Sequence, residues 1–131
     1  MPRVFICGSA LSGQPNHDNL QGAKLLGPAQ TTPDYRLHSA HNDWHPAIYP
    51  VEEGGIPIPG EVYEMSEEQF TYLKEHEPPF MYPQEVTLAD GSTAVMFMYP
   101  REKVVEYGWP DISDYGGWAN YMASKIDSSN V

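Results

Sequence analysis

The chain has 131 residues and a formal net charge of −11, with 7 Lys and Arg against 18 Asp and Glu. The length predicts a single domain over residues 1–131, and so few cations argue against a nucleic-acid partner, because phosphate binding needs clustered Lys and Arg. No stretch approaches the roughly 20 apolar residues of a membrane span, and the one cysteine, Cys7, cannot form an internal disulfide, which fits a cytoplasmic location.

The extended segments alternate with turn signals in an α+β pattern. Val4–Cys7 forms a short apolar run, and residues 22–38 predict a strand that bends near Pro33. Residues 38–47 have the composition of a polar loop. Residues 48–65 predict two extended pieces around a Glu-Glu-Gly-Gly turn. The clearest hairpin lies in residues 85–99, with its turn at Asp90-Gly91.

Two helices are expected. The first runs from Ser66 to about His76, because Ser66 can act as N-cap and Gln69, three residues later, completes a capping box. Pro78-Pro79 ends it. The second covers residues 118–126, where Trp118, Tyr121 and Met122 follow helical spacing.

Glu77 is the first candidate functional residue. Phe70, Leu73 and Glu77 would share one apolar face if the helix continued. A carboxyl group in apolar surroundings at a helix C-terminus has a raised pKa, and such a carboxylate is an effective general base near neutral pH. The alternative is that Glu77 leaves the helix axis before Pro78 and points into water.

The loop that follows Val4–Cys7 is the second candidate. Its Gly-Ser-Ala-Leu-Ser-Gly sequence is not a phosphate-binding loop, since no Lys follows Gly13. Cys7 lies in an apolar run, which favours an inert thiol over a nucleophile. Ser9 has no Gly-x-Ser-x-Gly context, which favours a hydrogen-bonding role.

A third cluster contains His38, His41, Asp43 and His45. Its spacing matches no standard zinc site, so we expect no metal ion there. His45-Pro46 is expected to shape the rim of a pocket.

The motifs "VFICGSALSG" and "GEVYEMSEEQFTYLKEHE" resemble the gamma-glutamylcyclotransferase-like family, also called AIG2-like. The resemblance implies a small, mostly antiparallel β-barrel or strongly curved sheet with one or two packed helices. It implies that Glu77 is the general base and that Tyr82 contributes to substrate binding. It also implies that the turn of Gly8, Ser9, Ala10 and Leu11 holds the carbonyl or carboxylate of a small amide ligand. No cofactor is required for that chemistry.

Within the same superfamily, the chain resembles the C-terminal domain of allophanate hydrolase. The similar stretches are "LSGQPNHDNL", "TTPDYRLH", "GGIPIPGEVYEM", "VTLADGS" and "DISDYGGWANYMAS". The chain departs from both patterns: Cys7 replaces a cyclotransferase tyrosine, and Ala10 replaces a histidine of the allophanate hydrolase domain. Three functions therefore stay open. They are a cyclotransferase-like enzyme, a relative that handles a urea-derived carboxylate, and a non-catalytic module that binds a small molecule or a protein.

Overall fold

The computed structural model describes residues 2–129, with side chains described through residue 125. In this range the chain forms seven β-strands and three α-helices. The strands are β1 (Arg3–Ile6), β2 (Lys24–Gln30), β3 (Tyr35–Ala40), β4 (His45–Pro50), β5 (Pro59–Glu64), β6 (Tyr82–Thr87) and β7 (Thr93–Met98). The helices are α1 (Glu67–Glu75), α2 (Arg101–Tyr107) and α3 (Trp118–Ser129).

Five strands form one curved sheet in the order β2-β5-β1-β7-β6. All neighbours are antiparallel except β1 and β7, which run parallel. A bridge between Thr31 and Leu88 brings the two edges together at one end, but β2 and β6 do not pair along their lengths in the described residues. The predicted α+β fold with a mostly antiparallel, strongly curved sheet is confirmed, and the barrel is not closed.

The central strand β1 is buried on both faces. Val4 and Ile6 pack toward α1 in a cluster with Leu73. Phe5 and Cys7 point to the opposite face, as alternation along a strand requires, and join a larger cluster with Trp118 of α3. This double burial explains why the first apolar run has no polar alternation.

The local signals at two turns are confirmed. Gly91, with φ of +88°, lies in the turn between β6 and β7. At the start of α1, the Gln69 N–H donates to Ser66 Oγ at 3.1 Å and the Ser66 N–H donates to Gln69 Oε1 at 2.8 Å.

Three predictions need correction. The single bent strand over residues 22–38 is wrong, because residues 24–30 form β2 of the five-stranded sheet and residues 35–40 form β3, which pairs with β4 in a separate two-stranded sheet. The polar loop over residues 38–47 is wrong, because residues 38–40 complete β3, residues 45–47 begin β4, and only residues 41–44 form the turn. The side chains of His45 and Ala47 are buried. Helix α2 was not predicted, although Pro100 precedes it and Gly108, with φ of +65°, ends it in the left-handed conformation. No helix within residues 2–129 has the length and apolar composition needed to cross a bilayer.

The capping box predicts a measurable stability effect. Ser66→Ala should lower the free energy of unfolding by about 1 kcal/mol, because it leaves the Gln69 N–H without its acceptor. Urea denaturation followed by circular dichroism measures this change. Thr71→Ala, at an exposed site within α1, is the control and should cause no loss. Equal stability of Ser66→Ala and the parent protein would contradict the prediction.

Candidate active site

A cleft opens where β1 ends, β4 begins and the α1–β6 connection crosses. We call it the Glu77 cleft, and it encloses about 420 Å³ including the solvent at its mouth. Its walls are mainly apolar. The lining residues are Phe5, Ile6, Cys7, Gly8, Ser9, Ala10, His45, Pro46, Ile48, Glu77, Met81 and Phe97.

One wall is the tight turn that follows β1. The Leu11 N–H closes the turn by donating to the Gly8 carbonyl at 3.0 Å. The Ser9 carbonyl accepts from the Asn16 N–H at 2.8 Å. The Ala10 carbonyl lies 2.9 Å from His17 Nδ1, which must therefore be the donor. All three carbonyl oxygens are thus occupied by the chain itself.

The backbone N–H groups at the start of the same turn, unlike its carbonyl oxygens, have no hydrogen-bond partner in the described residues. Those of Gly8, Ser9 and Ala10 donate no hydrogen bond to any group in the part of the chain that the structure describes. Successive free N–H groups with occupied carbonyls present donors without competing acceptors, which is the arrangement that binds an anionic oxygen. The turn can therefore hold a carboxylate or stabilise a developing oxyanion.

Gly8 is required by a close approach. A Cβ atom at this position would lie 2.4 Å from Cδ and 2.5 Å from Cγ of Pro46. Such distances do not occur between real side chains, so any other residue would push the turn and β4 apart. The expected role of His45-Pro46 at the pocket is consistent with this packing.

The structure brings together four of the six residues predicted from sequence for the site. Glu77, Gly8, Ser9 and Ala10 all line the Glu77 cleft. The other two do not line it. The Leu11 side chain is buried in the core against β1, and Tyr82 is 38% exposed at the start of β6. Met81 lines the cleft instead, because the chain turns between Pro78 and β6 and directs that side chain inward.

Glu77 reaches the cleft by a different route from the one expected. Helix α1 ends at Glu75, so Glu77 does not extend its apolar face. The chain leaves the helix at His76 and carries Glu77 into the cleft rather than into water. Within the described residues the carboxyl group has no hydrogen bond or ion pair. Burial raises the pKa of Glu77 from 4.5 to about 7.

Cys7 lies beside this carboxyl group and carries no chemistry of its own. Burial, together with the negative charge of Glu77, raises the pKa of the Cys7 thiol to about 12. The thiol is therefore protonated at neutral pH, and a protonated thiol is a poor nucleophile.

His45 is a cleft residue that sequence reasoning placed only at the rim. It is 2% exposed and lines the Glu77 cleft as the first residue of β4. Burial, with a smaller contribution from the neighbouring His41, lowers the pKa of His45 to about 4, so the ring is neutral at pH 7. Its burial was hidden because it lies in a segment with the composition of a polar loop, and part of the packing that covers it comes from Tyr99 and Trp109, which are distant in sequence.

The remaining members of the histidine cluster have structural partners. His38 Nδ1 lies 2.9 Å from the Trp109 carbonyl and Nε2 lies 2.9 Å from the Tyr49 hydroxyl. Asp43 pairs with Lys125 at 2.8 Å and accepts a hydrogen bond from the Tyr121 hydroxyl at 2.7 Å. In the described residues, no three His, Cys, Asp or Glu side chains come together as a metal-ion site.

Comparison with known proteins places the chain among relatives. Residues 2–123 match the allophanate hydrolase C-terminal domain family. The chain belongs to this family. A protein from Vibrio cholerae named as a putative gamma-glutamylcyclotransferase is 32% identical over 117 residues, which cover 88% of this chain and 93% of that protein. Both resemblances seen in the sequence are thereby confirmed.

Solved structures share the fold over nearly the full chain. A protein described as specific to uropathogenic E. coli is 27% identical with a TM-score of 0.85, and the match covers 93% of this chain and 95% of that one. Allophanate hydrolase from Kluyveromyces lactis is 25% identical with a TM-score of 0.85. The latter match covers 94% of this chain but 21% of the enzyme, so this chain corresponds to about a fifth of it.

The raised pKa of Glu77 predicts a pH-dependent stability. Because the folded pKa of about 7 exceeds the ordinary 4.5, the folded protein binds this proton more tightly than the unfolded chain does. The resulting stabilisation is fully present below about pH 4.5 and is lost as the pH rises toward 7. The free energy of unfolding falls by about 3 kcal/mol over this interval.

Glu77→Gln removes this titration. Between about pH 4 and pH 8, the stability of Glu77→Gln relative to the parent protein should therefore rise by about 3 kcal/mol in urea denaturation. Glu75→Gln, at an exposed position two residues earlier, is the matched control and should show no such trend. A pH-independent difference for Glu77→Gln would show that the carboxyl group is hydrated.

Proposed function

We propose that this protein is a cofactor-free gamma-glutamylcyclotransferase-like enzyme that acts on a small amide bearing a carboxylate. One observation carries the proposal. Glu77, which has a pKa of about 7 and no partner in the part of the chain that the structure describes, shares a cleft with the turn of Gly8, Ser9 and Ala10 and its free N–H groups. A proton acceptor and a set of oxyanion donors are the two elements that intramolecular attack on an amide needs.

In the proposed reaction, the α-amine of a γ-glutamyl compound attacks its own γ-amide carbonyl carbon. A carbon–nitrogen bond forms, the ring closes, and negative charge develops on the carbonyl oxygen. Glu77 takes one proton from the α-ammonium group to give the neutral amine that attacks, and it passes this proton to the leaving nitrogen as the original amide bond breaks. The second proton, which the ring nitrogen loses as it becomes an amide, goes to the released amine, which leaves as an ammonium ion. The products are 5-oxoproline and the released amine, and neither water nor a redox partner is consumed.

The turn contributes through its donors. Hydrogen bonds from backbone N–H groups to an oxyanion in a water-poor cleft strengthen as the charge develops, and the loss of one such donor typically costs about 10²- to 10³-fold in rate. The apolar walls, including Phe5, Ile48 and Phe97, limit the competing hydration of the anion.

A second candidate is favoured by the family match. The matched family is an accessory domain of allophanate hydrolase, and the same free N–H groups could hold the carboxylate of a urea-derived compound. In that case the protein would handle an N-carboxylated urea, or would bind a small carboxylate without turnover. The resemblance places a histidine where this chain has Ala10, so that histidine cannot act here. Glu77 is the acidic residue that lines the cleft, and either chemistry would depend on it.

Glu77→Gln separates these functions. It keeps the shape of the side chain and removes the base, so release of 5-oxoproline from γ-glutamyl amides should fall by about 10²- to 10⁴-fold while ligand affinity is largely kept. The assay follows 5-oxoproline by chromatography, and calorimetry gives the affinity.

Cys7→Ser is the matched control within the same cleft. It should keep most of the activity, because the protonated thiol takes no part in the proposed reaction. If the parent protein binds γ-glutamyl amides but turns none over, the protein is a binding module. Turnover of N-carboxylated urea instead would support the second candidate.

A further inference from the structure

A second proton acceptor of the Glu77 cleft has no partner among the residues that the structure describes. His45 Nε2 is buried and makes no hydrogen bond with any group in the described residues. Buried polar atoms almost always have a partner, so an unpaired one calls for an explanation. His45 lines the same cleft as Glu77 and its Nε2 is closed to solvent, so a ligand that enters the cleft and displaces the groups that cover Nε2 would supply the partner.

The hydrogen-bonding capacity of Nε2 follows from the other ring nitrogen. His45 Nδ1 lies 2.9 Å from the Pro46 carbonyl oxygen. A carbonyl oxygen can only accept, so Nδ1 must carry the proton and Nε2 must present a lone pair. The group that satisfies Nε2 is therefore a hydrogen-bond donor.

The ring is held in place by its surroundings. Its centroid lies 5.2 Å from that of Trp44 and 6.2 Å from those of Tyr99 and Trp109. On the other side, Pro46 packs against Gly8. The preceding turn is fixed through Asp43, which accepts hydrogen bonds from Ser39 and Tyr121 and pairs with Lys125. The imidazole is thus an element of fixed geometry beside the anion-binding turn.

We propose that His45 is a substrate-binding residue whose Nε2 accepts a hydrogen bond from the α-ammonium group of a γ-glutamyl amide. This inference rests on the proposed function and deepens it by assigning the contact that orients the attacking nitrogen. An ammonium group has three N–H donors, and the cleft offers two acceptors, the Glu77 carboxylate and His45.

A neutral acceptor suits this position better than a second carboxylate. A second negative charge would hold the ammonium in its charged form and oppose its deprotonation. The uncharged imidazole fixes the direction of the nitrogen and leaves its proton free to move to Glu77. His45 therefore contributes orientation, and Glu77 contributes proton transfer.

The test compares two ligands that differ in the ammonium group alone. L-Glutamine is the simplest γ-glutamyl amide, and glutaramate is the same molecule without the α-ammonium. Calorimetry is performed in the Glu77→Gln background, so that turnover does not consume the ligand. There, His45→Phe should weaken L-glutamine binding by about 10- to 100-fold, because a hydrogen bond to a charged group is lost. It should change glutaramate binding by less than about twofold.

Two variants control for packing and folding. His45→Gln keeps an acceptor in the side chain and should recover part of the L-glutamine affinity that His45→Phe loses. Tyr99→Phe removes the neighbouring buried hydroxyl group, which also has no partner in the described residues, and should leave the preference between the two ligands unchanged. Equal weakening of both ligands by His45→Phe would overturn the proposal.

A measurement on the parent protein does not depend on any variant. The ¹⁵N resonance of His45 Nε2 should shift when L-glutamine is added and should not shift with glutaramate. An unmoved resonance at saturating L-glutamine would overturn the role of His45 even if 5-oxoproline is formed. If the resonance shifts but no 5-oxoproline forms, the contact stands and the proposed cyclotransferase activity fails. If L-glutamine does not bind at all, the assignment of His45 fails.

Discussion

The candidate site depends on one close approach, between the backbone of Gly8 and the ring of Pro46. Strand β1, the central strand of the five-stranded sheet, ends at this point, and β4, the second strand of the separate β3–β4 hairpin, begins here. A side chain at position 8 would displace Pro46 and carry His45 with it. The absence of a Cβ therefore allows the anion-binding turn and one wall of the cleft to form in the same place.

The cleft divides hydrogen-bonding roles between two sets of groups. The turn of Gly8, Ser9 and Ala10 offers N–H donors, and its own carbonyl oxygens are all occupied. Glu77 and His45 Nε2 offer acceptors that have no partner among the described residues. A ligand that satisfies both sets must carry an anionic or carbonyl oxygen as well as N–H donors. The net charge of −11 does not determine this selectivity, because the local groups are partial charges of the backbone, the half-buried Glu77 and the buried His45.

The sequence predicted those features that depend on neighbouring residues. The Ser66–Gln69 capping box, the Asp90-Gly91 turn and the buried first strand all follow from local chemistry, and all are confirmed. His45 could not be predicted as buried, because its cover comes from Tyr99 and Trp109, more than fifty residues away. The route of Glu77 into the cleft depends on the helix ending at Glu75, and helix ends are the least certain part of such a prediction.

Burial of Glu77 gives the proposed proton transfer its direction. The carboxyl group has no partner within residues 2–125, and its pKa is raised by the loss of water. A carboxylate and an ammonium group that meet in this cleft would form an ion pair whose two charges both lack hydration. Transfer of one proton from the ammonium to Glu77 converts that pair into a neutral acid and a neutral amine, which an apolar cleft tolerates better. The same desolvation that destabilises the folded protein at neutral pH would therefore produce the neutral amine that attacks the amide.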